Sequence, residues 1–144
     1  MAIRLTEPHL AAIRRHGEKT FPQECCGFLL GQQDNGVKTV TQLSAADNAR
    51  ENTARHNRFL ITAEMYLSAD REARTTGLDI LGFYHSHPNA PARPSEYDRE
   101  HAWAWYSYVI VSVRDGAAHD LTSWVLRDDR SSFDLEKVLN SNNE

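Results

Sequence analysis

Two histidines one residue apart, a proline-broken stretch, then a serine and an aspartate make up HSHPNAPARPSEYD, residues 85–98. In an extended strand, residues two apart face the same side with Cα atoms ~6.6 Å apart, so His85 and His87 present both imidazoles together. That spacing lets them converge on one zinc ion at ~2.0–2.1 Å, and Asp98, arriving in the first turn of the next element, can add a carboxylate oxygen at a similar distance. Three protein ligands leave the fourth tetrahedral position to water, the arrangement of a catalytic rather than a structural zinc site. Bound zinc brings the pKa of water to roughly 7 and polarises a carbonyl, but a departing amine still needs a proton. A separate carboxylate must carry it. Among the ten glutamates the candidate is Glu24, which precedes CCGFLLG, a glycine-bearing apolar run suited to a strand beside the histidine strand.

These residues need elements to hold them. Thr6 reads as a helix N-cap with Pro8 in the first turn, and residues 7–19 have apolar positions at helical spacing, ended by Phe21-Pro22. CCGFLLG (25–31) and VKTVTQL (37–43) flank an Asn-Gly turn and predict a hairpin. A polar loop follows over 44–55, then a short strand RFLI at 58–61, then a second helix over 63–77 with Gly77 as its cap. LDILGFYHSH (78–87) predicts the strand whose end carries the histidines, and Pro88, Pro91 and Pro94 forbid regular structure beyond it. Ser95 to Trp105 opens with a helix-start signal. SYVIVSV (107–113) predicts a buried strand, and DLTSWVLR with SSFDLEKV a hairpin around Asp128-Asp129, leaving the terminal SNNE to fray. The expected fold class is α/β (α+β): a single domain over 1–144 with a mixed sheet and about three helices.

Glu24, then His85-Ser86-His87, the seven residues Pro88–Pro94, Ser95, two residues, and Asp98 resemble the signature of the JAMM (MPN-plus) metalloproteases without a gap. With seven His, ten Ser and ten Asp in 144 residues, a shuffled chain produces the His-to-Asp spacing on the order of once in a thousand. PQECCGFLLG resembles the family's glutamate-bearing strand, LDILGFYHSHP its metal strand and PARPSEYD its serine–aspartate segment, so the resemblance extends over residues 21–113. It implies the MPN/JAB, cytidine-deaminase-like fold, with Glu24 as general acid/base, His85, His87 and Asp98 as zinc ligands, and Ser95 as donor to the oxyanion. One departure is Thr62, where many members carry a proline before the second helix.

The chain looks most like the small prokaryotic-type members, which act on C-terminal conjugates of ubiquitin-like sulfur carriers. The resemblance thus implies hydrolysis of an amide or isopeptide bond at the carrier's tail, as in a carrier–cysteine adduct. An extended tail could pair with a strand edge beside the zinc. Linkage-specific deubiquitination is not expected, because the chain has little room for the insertions used by members that select linkages. The alternative is a metal-free scaffold, since relatives lacking the full ligand set serve as assembly subunits; here the set is complete. A third reading, a cysteine hydrolase using Cys25 or Cys26, would make activity sensitive to thiol alkylation.

The remaining features have plainer readings. Ser-x-x-Asp is also a capping-box shape, so Ser95 is expected to cap the following helix. His9, His16, His56, His101 and His119 lack a spaced partner and read as ordinary polar residues. Trp103, Trp105, Tyr106 and Tyr108 read as core and rim, and Arg50, Arg55 and Arg58 as a solvated face. A net charge of −4 and a pI near 6.0 give no basic footprint for nucleic acid. No apolar run approaches the ~18–20 residues of a membrane span, and adjacent cysteines cannot form an ordinary disulfide, which together suggest a cytoplasmic protein with Cys25 and Cys26 at the start of a buried strand. No feature sets an oligomeric state.

Overall fold

The computed structural model describes residues 2–46 and 61–141. Its elements are β1 (Ala2–Thr6), α1 (Glu7–Thr20), β2 (Cys26–Asp34), β3 (Val37–Ala46), α2 (Ala63–Thr75), β4 (Asp79–Pro88), α3 (Glu96–His101), β5 (Ser107–Arg114), β6 (Ala117–Leu126) and β7 (Phe133–Ser141). Short-range chemistry sets most of them. Thr6 caps α1 by accepting from the His9 N–H at 3.3 Å. Thr62 caps α2 by accepting from the Met65 N–H at 3.1 Å, so the residue that stands in place of the family's proline has a job of its own. The Asn35-Gly36 turn, with φ of 53° and 80°, supplies the two left-handed residues that a tight β2–β3 hairpin requires.

The strands run in the order β1-β3-β2-β4-β5-β6-β7 and close into a barrel. β1 closes it by pairing in parallel with both β3 and β7. β4 lies between β2, antiparallel, and β5, parallel. Like β5 it is buried on both faces, with Ile80 to His87 all buried, and this explains its near-continuous apolar run. On one face Leu10 and Ile13 of α1 join Cys25, Tyr84, Val109, Val111 and Val113. On the other, Ala69 and Ala73 of α2 join Phe28, Phe83 and Tyr108. Gly17 lets α1 sit close: a Cβ there would stand 3.0 Å from Val113 and 3.3 Å from Ser86.

Among the described residues the mixed sheet with three helices is as the sequence predicts, with differences at the ends of elements: β3 runs on to Ala46, into the expected loop. β1 was not expected, although Ile3 and Leu5 alternate and are fully buried; a five-residue strand directly against a strong helix cap leaves little pattern to read. The tail does not fray at Ser141, which belongs to β7 and pairs with Thr6. α3 stops at His101 because Ala102 turns extended (ψ 158°), so the helical start at Ser95 does not run on to Trp105. The expected strand at 58–61 falls outside the described residues save for Ile61, which is in no strand; Arg50, Arg55, Arg58 and His56 also lie outside them.

Candidate metal centre

β4 delivers two imidazoles to one face at its end, as alternation requires, and both are buried: His85 is 0% exposed and His87 6%. Pro88 ends the strand, and Asn89, at φ 52°, turns the chain while its N–H donates to Val113 O at 2.6 Å. The third residue comes from the first turn of α3. Ser95 Oγ accepts from the Asp98 N–H at 3.1 Å, and Asp98 Oδ2 accepts from the Ser95 N–H at 2.8 Å. This reciprocal cap fixes the Asp98 carboxylate on the inward side of the helix.

His85 Nε2, His87 Nε2 and Asp98 Oδ2 form a near-equilateral triangle. The two nitrogens are 3.2 Å apart, and the oxygen lies 3.4 Å from His85 and 3.2 Å from His87. Ligand atoms at ~2.0–2.1 Å from a tetrahedral ion stand about 3.3–3.4 Å from one another, so the triangle is one face of such a tetrahedron. Tautomer agrees with geometry. His87 Nδ1 lies 2.8 Å from Pro91 O, which can only accept, so Nδ1 carries the proton and Nε2 offers a lone pair. Burial holds the His85 imidazole below its ordinary value, with Asp98 opposing. Burial would raise the Asp98 carboxyl, but the neighbouring His85 and His87 overcome this and keep it well below the usual carboxylate range. Two imidazole nitrogens and one carboxylate oxygen turned to a common point are a donor set that a divalent ion takes, and the residues present fit it.

Glu24 precedes β2. The β2–β4 register sets Cys26 opposite His85, and it continues outward through Cys25 and Ser86: the Cys25 N–H donates to Ser86 Oγ at 2.8 Å and the Ser86 N–H to Cys25 O at 3.3 Å. Glu24 comes immediately before Cys25, whose backbone is thus tied to Ser86 between the two histidines. It is 6% exposed and lies outside the His85–His87–Asp98 group. A buried carboxylate next to the segment hydrogen-bonded to the histidine strand, and not part of the ligand group, suits a proton carrier.

A family model described as prokaryotic homologs of the JAB domain matches residues 6–127. This chain belongs to that family. It is 38% identical over 106 residues to a desampylase of Haloferax volcanii, covering 70% of this chain and 71% of that protein. The solution structure of a protein from Salinibacter ruber is 45% identical and matches with a TM-score of 0.76, covering 100% of this chain and 94% of that one. The crystal structure of a JAB1/MPN domain protein from Archaeoglobus fulgidus matches with a TM-score of 0.54 over 96% of each chain at 19% identity. The family and the MPN/JAB fold expected from the sequence are borne out.

In this JAB-family chain Asp98, but neither histidine of the group, lines a cavity of about 480 Å³ together with Phe83, Tyr108, Trp103, Ile61 and His101. Trp103 is 50% exposed. Reading the aromatics as core and rim fits: Tyr108 is buried and its hydroxyl accepts the Trp103 N–H at 2.8 Å, while Trp103 stands at the rim. Cys25 and Cys26 are buried and form no disulfide, and burial pushes the Cys25 thiol up to about 12, which disfavours the thiolate that a cysteine hydrolase would need there. β2 and β4 are paired on both sides, so an added strand would have no free edge on either near the histidines. No described helix is long and apolar enough to cross a membrane.

Proposed function

We propose that this chain, as one domain over 1–144, is a JAMM-type metallopeptidase that uses zinc to hydrolyse the amide or isopeptide bond joining the C-terminus of a ubiquitin-like sulfur-carrier protein to its conjugate. The observation that carries the reading is the buried triangle of His85 Nε2, His87 Nε2 and Asp98 Oδ2, with edges of 3.2 to 3.4 Å. Similarity to a desampylase, named for removing a ubiquitin-like modifier, supports the substrate class.

A divalent ion held by His85, His87 and Asp98 would acidify a water and polarise the carbonyl under attack. The chain's own residues do the rest. Glu24 takes the water's proton on a carboxylate oxygen and returns it to the departing nitrogen. Ser95 Oγ is already an acceptor from the Asp98 N–H, which leaves its own O–H proton to donate to the carbonyl oxygen as negative charge develops there. The aromatic cavity beside Asp98 shields this region from water and receives part of the substrate chain.

The test is to incubate zinc-loaded protein with a sulfur-carrier protein bearing a C-terminal cysteine, with isopeptide-linked ubiquitin-like conjugates and with simple peptides, and to read product masses. Release at the carrier's C-terminus, lost on chelation, is the expected result. Cleavage of none of them by a zinc-loaded, folded sample would end this reading.

A further inference from the structure

Three consecutive carbonyls on the loop between His87 and Ser95 each accept a hydrogen bond from a side chain. Ala90 O accepts from Ser112 Oγ at 2.7 Å, Pro91 O from His87 Nδ1 at 2.8 Å, and Ala92 O from Thr122 Oγ1 at 2.6 Å. Thr122 Oγ1 itself accepts from Trp124 Nε1 at 2.8 Å, which commits its own proton to Ala92. We propose that Ser112 and Thr122 are positioning residues of the metal centre, holding the Pro91 carbonyl that orients the His87 imidazole. The inference rests on the metal-site reading above.

The middle carbonyl is the one that matters, and it has little freedom once its neighbours are fixed. The proline ring locks φ of residue 91, and the hydroxyls of Ser112 and Thr122 hold the peptide planes before and after it. Pro91 O also accepts the Arg93 N–H at 2.8 Å. The Pro91 carbonyl is thus held toward His87 Nδ1, which selects the tautomer with a bare Nε2. The same loop ends at Ser95 and Asp98, so its anchoring also sets the separation between the second and third members of the triangle. Both hydroxyls come from the sheet that carries the histidines: Ser112 lies beside His87 in the β4–β5 register, and Thr122 beside Ile110, which lies beside His85. Neither belongs to the His-x-His…Ser-x-x-Asp signature.

A buried hydroxyl must bond to something, so the experiment has to separate positioning from ordinary satisfaction. Zinc affinity is measured by competition with a chromophoric chelator in the cold, and Co²⁺-substituted protein is followed by its visible absorption, for Ser112→Ala, Thr122→Val, Thr122→Ser and Ser123→Ala. Ser123 is the control: it is buried on the same strand as Thr122 but donates to Glu136 at 2.7 Å, away from the loop. Ser112→Ala and Thr122→Val are expected to weaken zinc binding on the order of 10- to 100-fold, as for other loss of outer-shell support, and to alter the cobalt spectrum. Thr122→Ser is expected to restore both, while Ser123→Ala lowers the melting temperature and leaves affinity unchanged. Affinity within twofold of the parent in Ser112→Ala and Thr122→Val, or an equal loss in Ser123→Ala, overturns the proposal. A parent chain that binds zinc but cleaves no conjugate ends the proposed activity and leaves this comparison readable; a parent that binds no zinc ends both.

Discussion

Ser95 and Asp98 hold each other from both directions: each backbone N–H donates to the other's side chain, at 3.1 Å onto Ser95 Oγ and 2.8 Å onto Asp98 Oδ2. Because Asp98 Oδ2 is also the atom facing both imidazoles, the helix cap and the metal ligand are one oxygen. Ser95→Ala should therefore lower stability by about 1 kcal/mol, the usual cost of a lost cap, and lower kcat by ~100-fold or more through loss of the oxyanion donor. A melting shift with unchanged kcat would leave Ser95 with the cap alone.

Glu24 is buried, two residues before Cys26, which pairs with His85, and it lies outside the ligand triangle, which separates chemistry from metal retention. Glu24→Gln should keep its zinc and lose at least ~100-fold in kcat. His85→Ala and His87→Ala should lose both zinc and activity, and a chelator should do the same to the parent. Metal content by atomic absorption beside a turnover assay checks all three, and full activity in Glu24→Gln refutes its role.

How much of this was legible follows from how local each determinant is. The histidines, Asp98 and Ser95 lie within fourteen residues of one another in HSHPNAPARPSEYD, and alternation plus a helix cap already put them together. Glu24 was reachable because apolar runs bounded by glycine predict neighbouring strands. Ser112 and Thr122 were not, since their partners are 22 and 30 residues away and a serine or threonine in a strand has no signature. Barrel closure was hidden for the same reason: it depends on β1 pairing with β7 from opposite ends of the chain.

Trp103 is half exposed, lines the cavity that Asp98 also lines and packs edge-on against Phe83, with ring centroids 6.0 Å apart. An aromatic ring at such a rim is expected to contribute uniform binding of substrate. Trp103→Ala should raise KM several-fold and leave kcat within about twofold. Steady-state kinetics on a carrier conjugate decides this, and a fall confined to kcat would show that the indole acts at the reacting bond.

Lys38 offers a pH test independent of the metal centre. Its side chain is 1% exposed, donates to Ser107 Oγ at 3.0 Å and to the Trp105 carbonyl, and lies 4.2 Å from the centre of the Trp105 ring. Burial pulls the ammonium down from 10.5 to about 8, with the charge on Glu136 opposing. Between those values the unfolded chain binds a proton that the folded chain has released, so this group makes stability rise with pH across that window; below about pH 8 the folded state bears the full cost of a buried ammonium, on the order of 2–3 kcal/mol. Cys25 and Tyr106, which burial pushes up to about 12, act in the opposite sense above their ordinary values, because the folded chain keeps protons that the unfolded chain loses. Comparison with Lys38→Met at each pH subtracts them. Denaturant melts should show the parent gaining on Lys38→Met from about pH 8 to 10.5 and no trend between pH 6 and 7; a constant difference throughout would mean that Lys38 titrates as an ordinary lysine.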